Sequence, residues 1–191
     1  IEENAQELVQ RVHLPDSRTD LVRALRVATQ HYAREGLTSV TDAGIAGGWI
    51  GHSPQELGAY QTARELGALR TRMQPMITVD ALHEVPGHAS DPAAVTLDTG
   101  MRTGLGDEWL QVGPVKVFTD GSLLGSTAAM TEDYAQCHGN HGYLLGDPDD
   151  VRARVLAAAR SGSARRDSVR SRPPRSSLRL SRCAQPRSRR A

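Results

Sequence analysis

The sequence predicts an α/β fold in which short strands alternate with helices. Three apolar, β-branched runs are separated by helical patterns and recur about every 35 to 40 residues, as in parallel βα units. Each run ends in an aspartate followed by a loop, and catalytic groups of α/β proteins collect at that edge of the sheet. An open sheet and a barrel both fit these observations, and three strands form less than half of an eight-stranded barrel.

The first unit consists of a helix, a glycine and a strand. Ser17 and Asp20 are candidates to cap a helix over residues 17–35. Apolar side chains recur on one face of this helix, at Leu21, Leu25, Ala28 and Tyr32. Gly36 ends the helix, and the β-branched run after it predicts a strand that ends at Asp42.

The second unit repeats this order. Ser53 at the cap, Pro54 at the first helical position and Glu56 three residues after the cap predict a helix that ends near residue 69. A second strand over residues 73–79 follows, and an aspartate ends it.

The third strand and the last helix complete the pattern. The polar stretch before the third strand contains Pro and Gly and predicts at most a short helix near Ala93. Residues 109–118 predict the third strand, which ends at Asp120. Asp149 is predicted to cap a last helix over residues 151–160.

Charge divides the chain after Gly162. The first 162 residues have a formal net charge of −8, whereas the last 29 have +9, and Arg, Ser and Pro occupy 20 of those 29 positions. Such a segment cannot bury a core, so we expect one domain over residues 1–162 and a disordered tail over 163–191. The tail is either a genuine basic arm or a frameshifted end. One lysine against 22 arginines indicates a GC-rich gene, and the tail's lack of periodicity favours the frameshift.

Composition favours a soluble, cytoplasmic protein. Hydrophobic residues make up 38% of the chain, the mean hydropathy is −0.45, and no run approaches the roughly 20 apolar residues of a membrane span. The first residues lack the basic start and apolar run of a signal peptide. Neither Cys137 nor Cys183 lies in the C-x-x-C pair of a zinc or redox site. Because the chain starts at Ile rather than Met, we expect a fragment.

Lys116 is the most informative side chain of the third strand. Counting by twos places Lys116, Phe118 and Asp120 on one face and the valines beside Lys116 on the other. A lysine near the end of a buried strand must be paired, deprotonated or modified, because an unpaired buried charge is costly. Three interpretations stay open: an ion pair with Asp120, a Schiff-base nucleophile, and a carbamylated ligand that bridges two metal ions.

Four segments carry a resemblance to a known family. They are residues 36–44, 113–123, 127–130 and 132–134. The run Val-Lys-Val-Phe-Thr-Asp-Gly-Ser-Leu within the second segment is the most specific. In their order and spacing, these segments make residues 1–162 resemble amidohydrolase family 3, a branch of the metal-dependent hydrolases, in the manner of an N-substituted formamide deformylase.

The resemblance implies part of a (β/α)8 barrel and the hydrolysis of C–N bonds in small-molecule amides or N-substituted formamides. Lys116 matches the strand lysine that can serve as a carbamylated bridge between two divalent metal ions, expected to be zinc. Asp120 matches a position that orients this lysine or shapes the substrate loop, and we expect it to be catalytic. Ser122 borders the same site, and Asp42 is a further candidate for the substrate side.

The chain departs from the family pattern at both ends. The family's His-x-His pair belongs before Ile1, and its later histidine-bearing strands belong where the Arg-rich tail follows Gly162. Hydrolytic zinc needs about three protein ligands. We therefore expect the chain to bind metal poorly and to be inactive alone.

Two other functions stay open. The Arg-rich tail predicts non-specific binding of nucleic acid or another polyanion by charge, although no aromatic residue for base stacking follows Gly162. Lys116 as a Schiff base predicts a lyase. Cys137, His138 and His141 have the spacing of a chelate, but no fourth ligand is near in sequence. We expect no membrane partner.

Overall fold

The structure is a computed structural model that describes residues 6–47, 50–90 and 94–162. Its elements follow in the order α1 (Glu7–Gln10), α2 (Arg18–Arg34), β1 (Ser39–Ile45), α3 (Glu56–Glu65), β2 (Arg72–Ile77), β3 (His83–Val85), β4 (Ala94–Thr96) and α4 (Pro148–Arg160). This mixture confirms the predicted α/β class. The predicted tail over 163–191 and Ala93 lie outside the described residues.

A parallel sheet lies at the centre of the described chain. β1 and β2 pair in parallel, with Val40 opposite Met73. An extended segment over residues 109–116, which we name the third segment, runs parallel to the other side of β2. Gln111 N donates to Met73 O at 3.1 Å, and Lys116 N donates to Ile77 O at 2.7 Å. The order across the sheet is therefore β1, β2, third segment.

The prediction of one continuous strand over 109–118 is wrong. The third segment forms only isolated bridges to β2, with Leu110 opposite Met73 and Lys116 opposite Thr78. The pairing shifts by one residue between these bridges, on either side of Pro114. Proline has no N–H to donate to a neighbouring strand, which accounts for the interruption.

α2 and α3 cover one face of this sheet. As predicted, Ser17 caps α2, because its Oγ accepts the N–H of Asp20 at 3.1 Å. Gly36, with φ +82°, follows the end of α2 in the left-handed conformation that glycine favours. α3 is shorter than predicted: it begins at Glu56 rather than Pro54 and ends at Glu65 rather than near residue 69. The core between these helices and the sheet contains Ile45, Tyr60, Ala63, Ala68, Leu69, Met73, Ile77, Leu110 and Val112.

Burial alternates along the strands, which shows that the two faces of the sheet differ. On β2, Met73, Pro75 and Ile77 are buried under the helices, whereas the residues between them are more exposed. On β1, the exposed positions are likewise every second residue from Ser39 to Ala43. We name this more exposed side the open face of the sheet. Parallel sheets are usually covered on both faces.

A hairpin and a helix follow the sheet. β3 and β4 pair antiparallel, with His83 opposite Thr96, where the sequence predicted only a polar stretch. α4 is capped by Asp147, whose Oδ1 accepts the N–H of Asp149 at 2.8 Å, so the prediction of Asp149 as the cap is wrong by two residues. Arg154 of α4 reaches Asp80 after β2, with Nη2 2.6 Å from Oδ1.

None of the helices in the described ranges has both the length and the apolar character needed to cross a membrane.

Candidate functional site at the carboxyl edge of the sheet

The three parallel segments end at one edge of the sheet. Thr78 N donates to Ile45 O at 3.0 Å, and Val79 N donates to Lys116 O at 2.8 Å. These two bonds hold the carboxyl ends of β1, β2 and the third segment at the same level. The edge is thus the place where α/β folds collect functional side chains.

Lys116 lies on the open face of the sheet at this edge. Residues that pair directly across two strands carry side chains on the same face, so Lys116 shares the face of Thr78. Thr78 alternates with the buried Ile77 and therefore lies opposite the helix-covered core. The Nζ atom of Lys116 lies 4.5 Å from the centroid of the Phe118 ring. This contact agrees with the predicted shared face of Lys116 and Phe118.

Within the described ranges, no ion pair joins Lys116 to a carboxylate. The interpretation of Lys116 as the partner of Asp120 in a structural ion pair is therefore wrong for this structure. Lys116 is held at its stem by the strand and at its tip by the aromatic ring, a cation–π contact that leaves the amine available for other partners.

Asp120 closes the loop that follows the third segment. Its Oδ2 accepts the N–H of Ala129 at 3.1 Å, and its Oδ1 accepts the hydroxyl of Thr119 at 3.0 Å. Its backbone also forms an antiparallel bridge with Leu144. Asp120 thus joins the start of the loop to two later points along it.

Ser122 is part of the same loop and is held there by hydrogen bonds to its backbone and its side chain. Ser122 N donates to the hydroxyl of Thr127 at 2.8 Å, and Ser122 O accepts the N–H of Thr127 at 3.0 Å. Ala128 N also donates to Ser122 O, at 3.2 Å. These bonds form a tight turn beside Asp120, so the structure brings Ser122 and Asp120 into one loop.

Asp42 lies inside β1 and not in a loop after it. Its Oδ2 accepts the hydroxyl of Tyr60 from α3 at 2.5 Å, so the side chain points toward the helices. Burial, followed by the hydrogen bond to Asp42, raises the pKa of Tyr60 far above its usual range. The structure therefore places Asp42 on the face of the sheet opposite Lys116 and apart from Ser122.

Two residues at this edge were not predicted as functional. Glu56 accepts two backbone N–H groups across the loop after β1, from Ala46 at 2.7 Å and from His52 at 2.9 Å. The Ser-Pro-Gln-Glu pattern indicated a helix start, and a glutamate at this position often bonds backward to the preceding backbone. The Thr78 hydroxyl is buried and has no hydrogen-bond partner in the described part of the chain. No signal in the sequence distinguishes this threonine.

The described residues do not build a metal centre by themselves. They contain no group of three or more His, Cys, Asp or Glu side chains arranged to hold a metal ion. Lys116 and Asp120 offer two candidate ligands at most, and His138 and His141 join no such group. A hydrolytic metal needs about three protein ligands, so this donor set does not fit a complete centre.

Comparison with known proteins gives the family context for this edge. A sequence model described as the amidohydrolase family matches residues 1–167. The protein LONG AFTER FAR-RED 3 of Arabidopsis thaliana is 40% identical over 55 residues, which are 29% of this chain and 9% of that protein.

Two solved structures share the fold. Uncharacterized metal-dependent hydrolases from Pyrococcus horikoshii OT3 and Pyrococcus furiosus match with TM-scores of 0.62, at 20% and 18% identity. Each match covers 85% of this chain, and this chain spans 30% and 31% of those two proteins. At these identities the likeness concerns the fold.

Proposed function

The chain belongs to the amidohydrolase family, and we propose that it forms part of a metal-dependent enzyme that hydrolyses C–N bonds in amides or N-substituted formamides. Residues 1–162 are proposed as one domain, a part of a (β/α)8 barrel whose interior is the open face of the sheet. Zinc is the proposed metal, since nitrogen and oxygen ligands suit it.

The position of Lys116 is the observation that carries this proposal. Lys116 lies at the carboxyl edge, on the open face, and its amine contacts an aromatic ring instead of a carboxylate. A lysine held in this way has no structural ion pair to explain it. Carbamylation would convert the amine into a carboxylate-like group, which is an oxygen ligand for divalent metals.

Asp120 and Ser122 are proposed to shape the substrate side of the site. Their bonds to Ala129 and Thr127 fix the path of the chain directly after Lys116. A loop fixed at both ends can position a substrate close to the sheet edge. We propose Asp120 as the residue that positions this loop against Lys116.

The chain alone is proposed to be inactive, because the donor set described above is incomplete. A bound metal would supply a water of lowered pKa and would polarise the scissile carbonyl. Those contributions require ligands that the described residues do not offer. We expect the purified chain to show no zinc-dependent hydrolysis of a formamide or amide above the rate in buffer.

The carbamate can be tested directly because Lys116 is the only lysine in the chain. The chain is incubated with ¹³C-bicarbonate, with and without Zn²⁺, and the carbamate carbon is observed by NMR. We expect one side-chain carbamate signal, and Zn²⁺ should change it little because the described donor set is incomplete. Lys116→Arg keeps the cation over Phe118 but cannot form this carbamate, so the signal should disappear.

The amino group at the chain terminus is the other amine that reacts with CO₂. Lys116→Arg keeps that amino group and therefore serves as the control for it. A signal of the same size in Lys116→Arg would assign the carbamate to the terminus and remove Lys116 as a ligand.

Borohydride trapping with an aldehyde or ketone probe distinguishes the lyase alternative from the hydrolase proposal. Covalent labelling of Lys116 at stoichiometric probe would favour Schiff-base chemistry over hydrolysis.

A further inference from the structure

A cavity lies between α2, β1 and α3 and reaches the carboxyl end of β1 at Gly44 and Ile45. Its volume is about 460 Å³, which is within the range of small-molecule sites. Most of its wall is apolar, with Leu21, Leu25 and Ala28 from α2, Val40 from β1 and Met73 from β2. The cavity is therefore shaped for a ligand with a hydrocarbon body.

The charged groups in the wall of this cavity are all acidic. Asp42 and Glu56 line it, and no arginine, lysine or histidine is among the described residues that form its wall. An apolar wall with acidic groups and no cation favours a positively charged ligand and disfavours an anion.

Asp42 keeps hydrogen-bonding capacity toward the cavity. A carboxylate offers about four acceptor sites. Tyr60 uses one of them, at 2.5 Å from Oδ2, and Gly44 N approaches Oδ1 at 3.3 Å. The remaining lone pairs are available to a donor in the cavity.

The raised pKa of Tyr60 is consistent with a negative electrostatic potential in the cavity. Burial raises its pKa most, and the hydrogen bond to Asp42 and the charges of Asp42 and Glu56 raise it further. Each of these charges disfavours a second negative charge in the cavity and favours a cation. Tyr60 also fixes the Asp42 carboxylate in one orientation, which lowers the entropic cost of binding.

We propose that this cavity binds a small primary amine with an apolar body, in its ammonium form. Asp42 accepts a hydrogen bond from the ammonium group, Glu56 adds negative potential, and the aliphatic wall contacts the body. The proposal does not depend on the hydrolase proposal, because Asp42 and Lys116 lie on opposite faces of the sheet. One can fail while the other stands.

The test compares three probes of similar shape. Binding of 2-phenylethylamine, 2-phenylethanol and 3-phenylpropionate is measured by isothermal titration calorimetry near pH 7. We expect saturable one-to-one binding of the amine, at least tenfold tighter than the alcohol, and no detectable binding of the carboxylate. Equal binding of amine and alcohol, or no binding of the amine to folded protein, would overturn the proposal.

Matched variants locate the site. Asp42→Asn should weaken amine binding at least tenfold, while Asp98→Asn should leave it unchanged. Asp98 is an exposed carboxylate bonded to His83 and lies outside the cavity wall. Circular dichroism checks folding. If Asp42→Asn does not fold, Ala28→Leu fills the cavity from α2 and should abolish amine binding. If a folded variant of either kind binds the amine as tightly as the wild type, the proposed site is wrong.

Discussion

Two regions of the molecule are held together in different ways. In the helix-covered region, residues 18–77, two helices bury one face of a parallel pair of strands, and Ala63 and Ile77 are almost fully buried. In the loop region, residues 119–146, the large side chains are mostly exposed, Leu124 at 90%. Its backbone is joined instead by bonds such as Met130 N to His141 O at 2.8 Å.

The comparison teaches that the two regions depend on different physical terms. Apolar burial is proportional to area and tolerates small shifts in position. Hydrogen bonds that replace bonds to water give about 1 kcal/mol each and require defined geometry. We therefore expect stability to reside in the helix-covered region and precise positioning near Lys116 to reside in the loop region.

The largest effect is expected from a cavity in the helix-covered region. Ile77 is 2% exposed and belongs to the core cluster. Ile77→Ala should lower the free energy of unfolding by about 3 kcal/mol, since it loses both transfer energy and packing contacts. Leu124→Ala is the control in the loop region and should change stability by less than about 0.5 kcal/mol. Urea denaturation measures both variants, and similar midpoints would break the comparison.

A matched pair of glycines tests the loop region. Gly142 and Gly139 both have positive φ, +70° and +81°. A Cβ at Gly142 would lie 2.0 Å from Ala128 O, whereas one at Gly139 meets nothing within 4 Å. Gly139→Ala should cost about 1 kcal/mol from backbone strain, and Gly142→Ala about 2 kcal/mol.

Hydrogen exchange at the Tyr143 amide is the readout for the glycine pair. This amide donates to Thr127 O at 3.1 Å, directly after Gly142. Protection should fall in Gly142→Ala while amides in β2 stay protected, because the loop opens without global unfolding. Equal loss of protection in both places would mean that the two regions unfold as one unit.

An effect of similar size to that of the glycine pair is expected from one buried tyrosine in each region. Tyr60 donates to the Asp42 carboxylate, and Tyr134 donates to the Ala128 carbonyl at 2.9 Å. Burial is the main cause that raises both pKa values, with Asp42 adding to that of Tyr60. Tyr60→Phe should cost about 2 kcal/mol because it removes a hydrogen bond to a charged acceptor, and Tyr134→Phe about 1 kcal/mol.

Alkaline pH should sharpen the tyrosine comparison. A raised pKa in the folded state means that the stabilising contribution is complete below the unfolded pKa, near 10, and is lost as pH rises through the folded value. Wild-type stability should therefore fall above about pH 10. Denaturation series between pH 8 and 11.5 should show a shallower fall for Tyr60→Phe than for Tyr134→Phe. A steeper fall for Tyr60→Phe than for Tyr134→Phe would contradict the larger rise in the pKa of Tyr60.

Some of the site could be predicted from the sequence and some could not. The face shared by Lys116 and Phe118 follows from the two-residue period of extended chain, and their contact agrees with it. The same reasoning grouped Asp42 with the substrate loop, whereas its side chain bonds to Tyr60, 18 residues later. Asp42 pairs with Pro75 in regular register and so shares the helix-covered face. Which face the helices cover is decided by packing and not by the position of a residue at a strand end.

By itself, the sequence determined the α/β class, the start of α2 at Ser17 and the alternation of helices with parallel segments along the chain, because these depend on local capping and periodicity. Only the tertiary structure decided that Lys116 lacks an ion pair with Asp120, that Glu56 closes the loop after β1, and that β3 and β4 form a hairpin. Each of these depends on groups brought together across the sheet or across a loop. The geometry of such contacts is set by packing and backbone register, which local patterns do not encode.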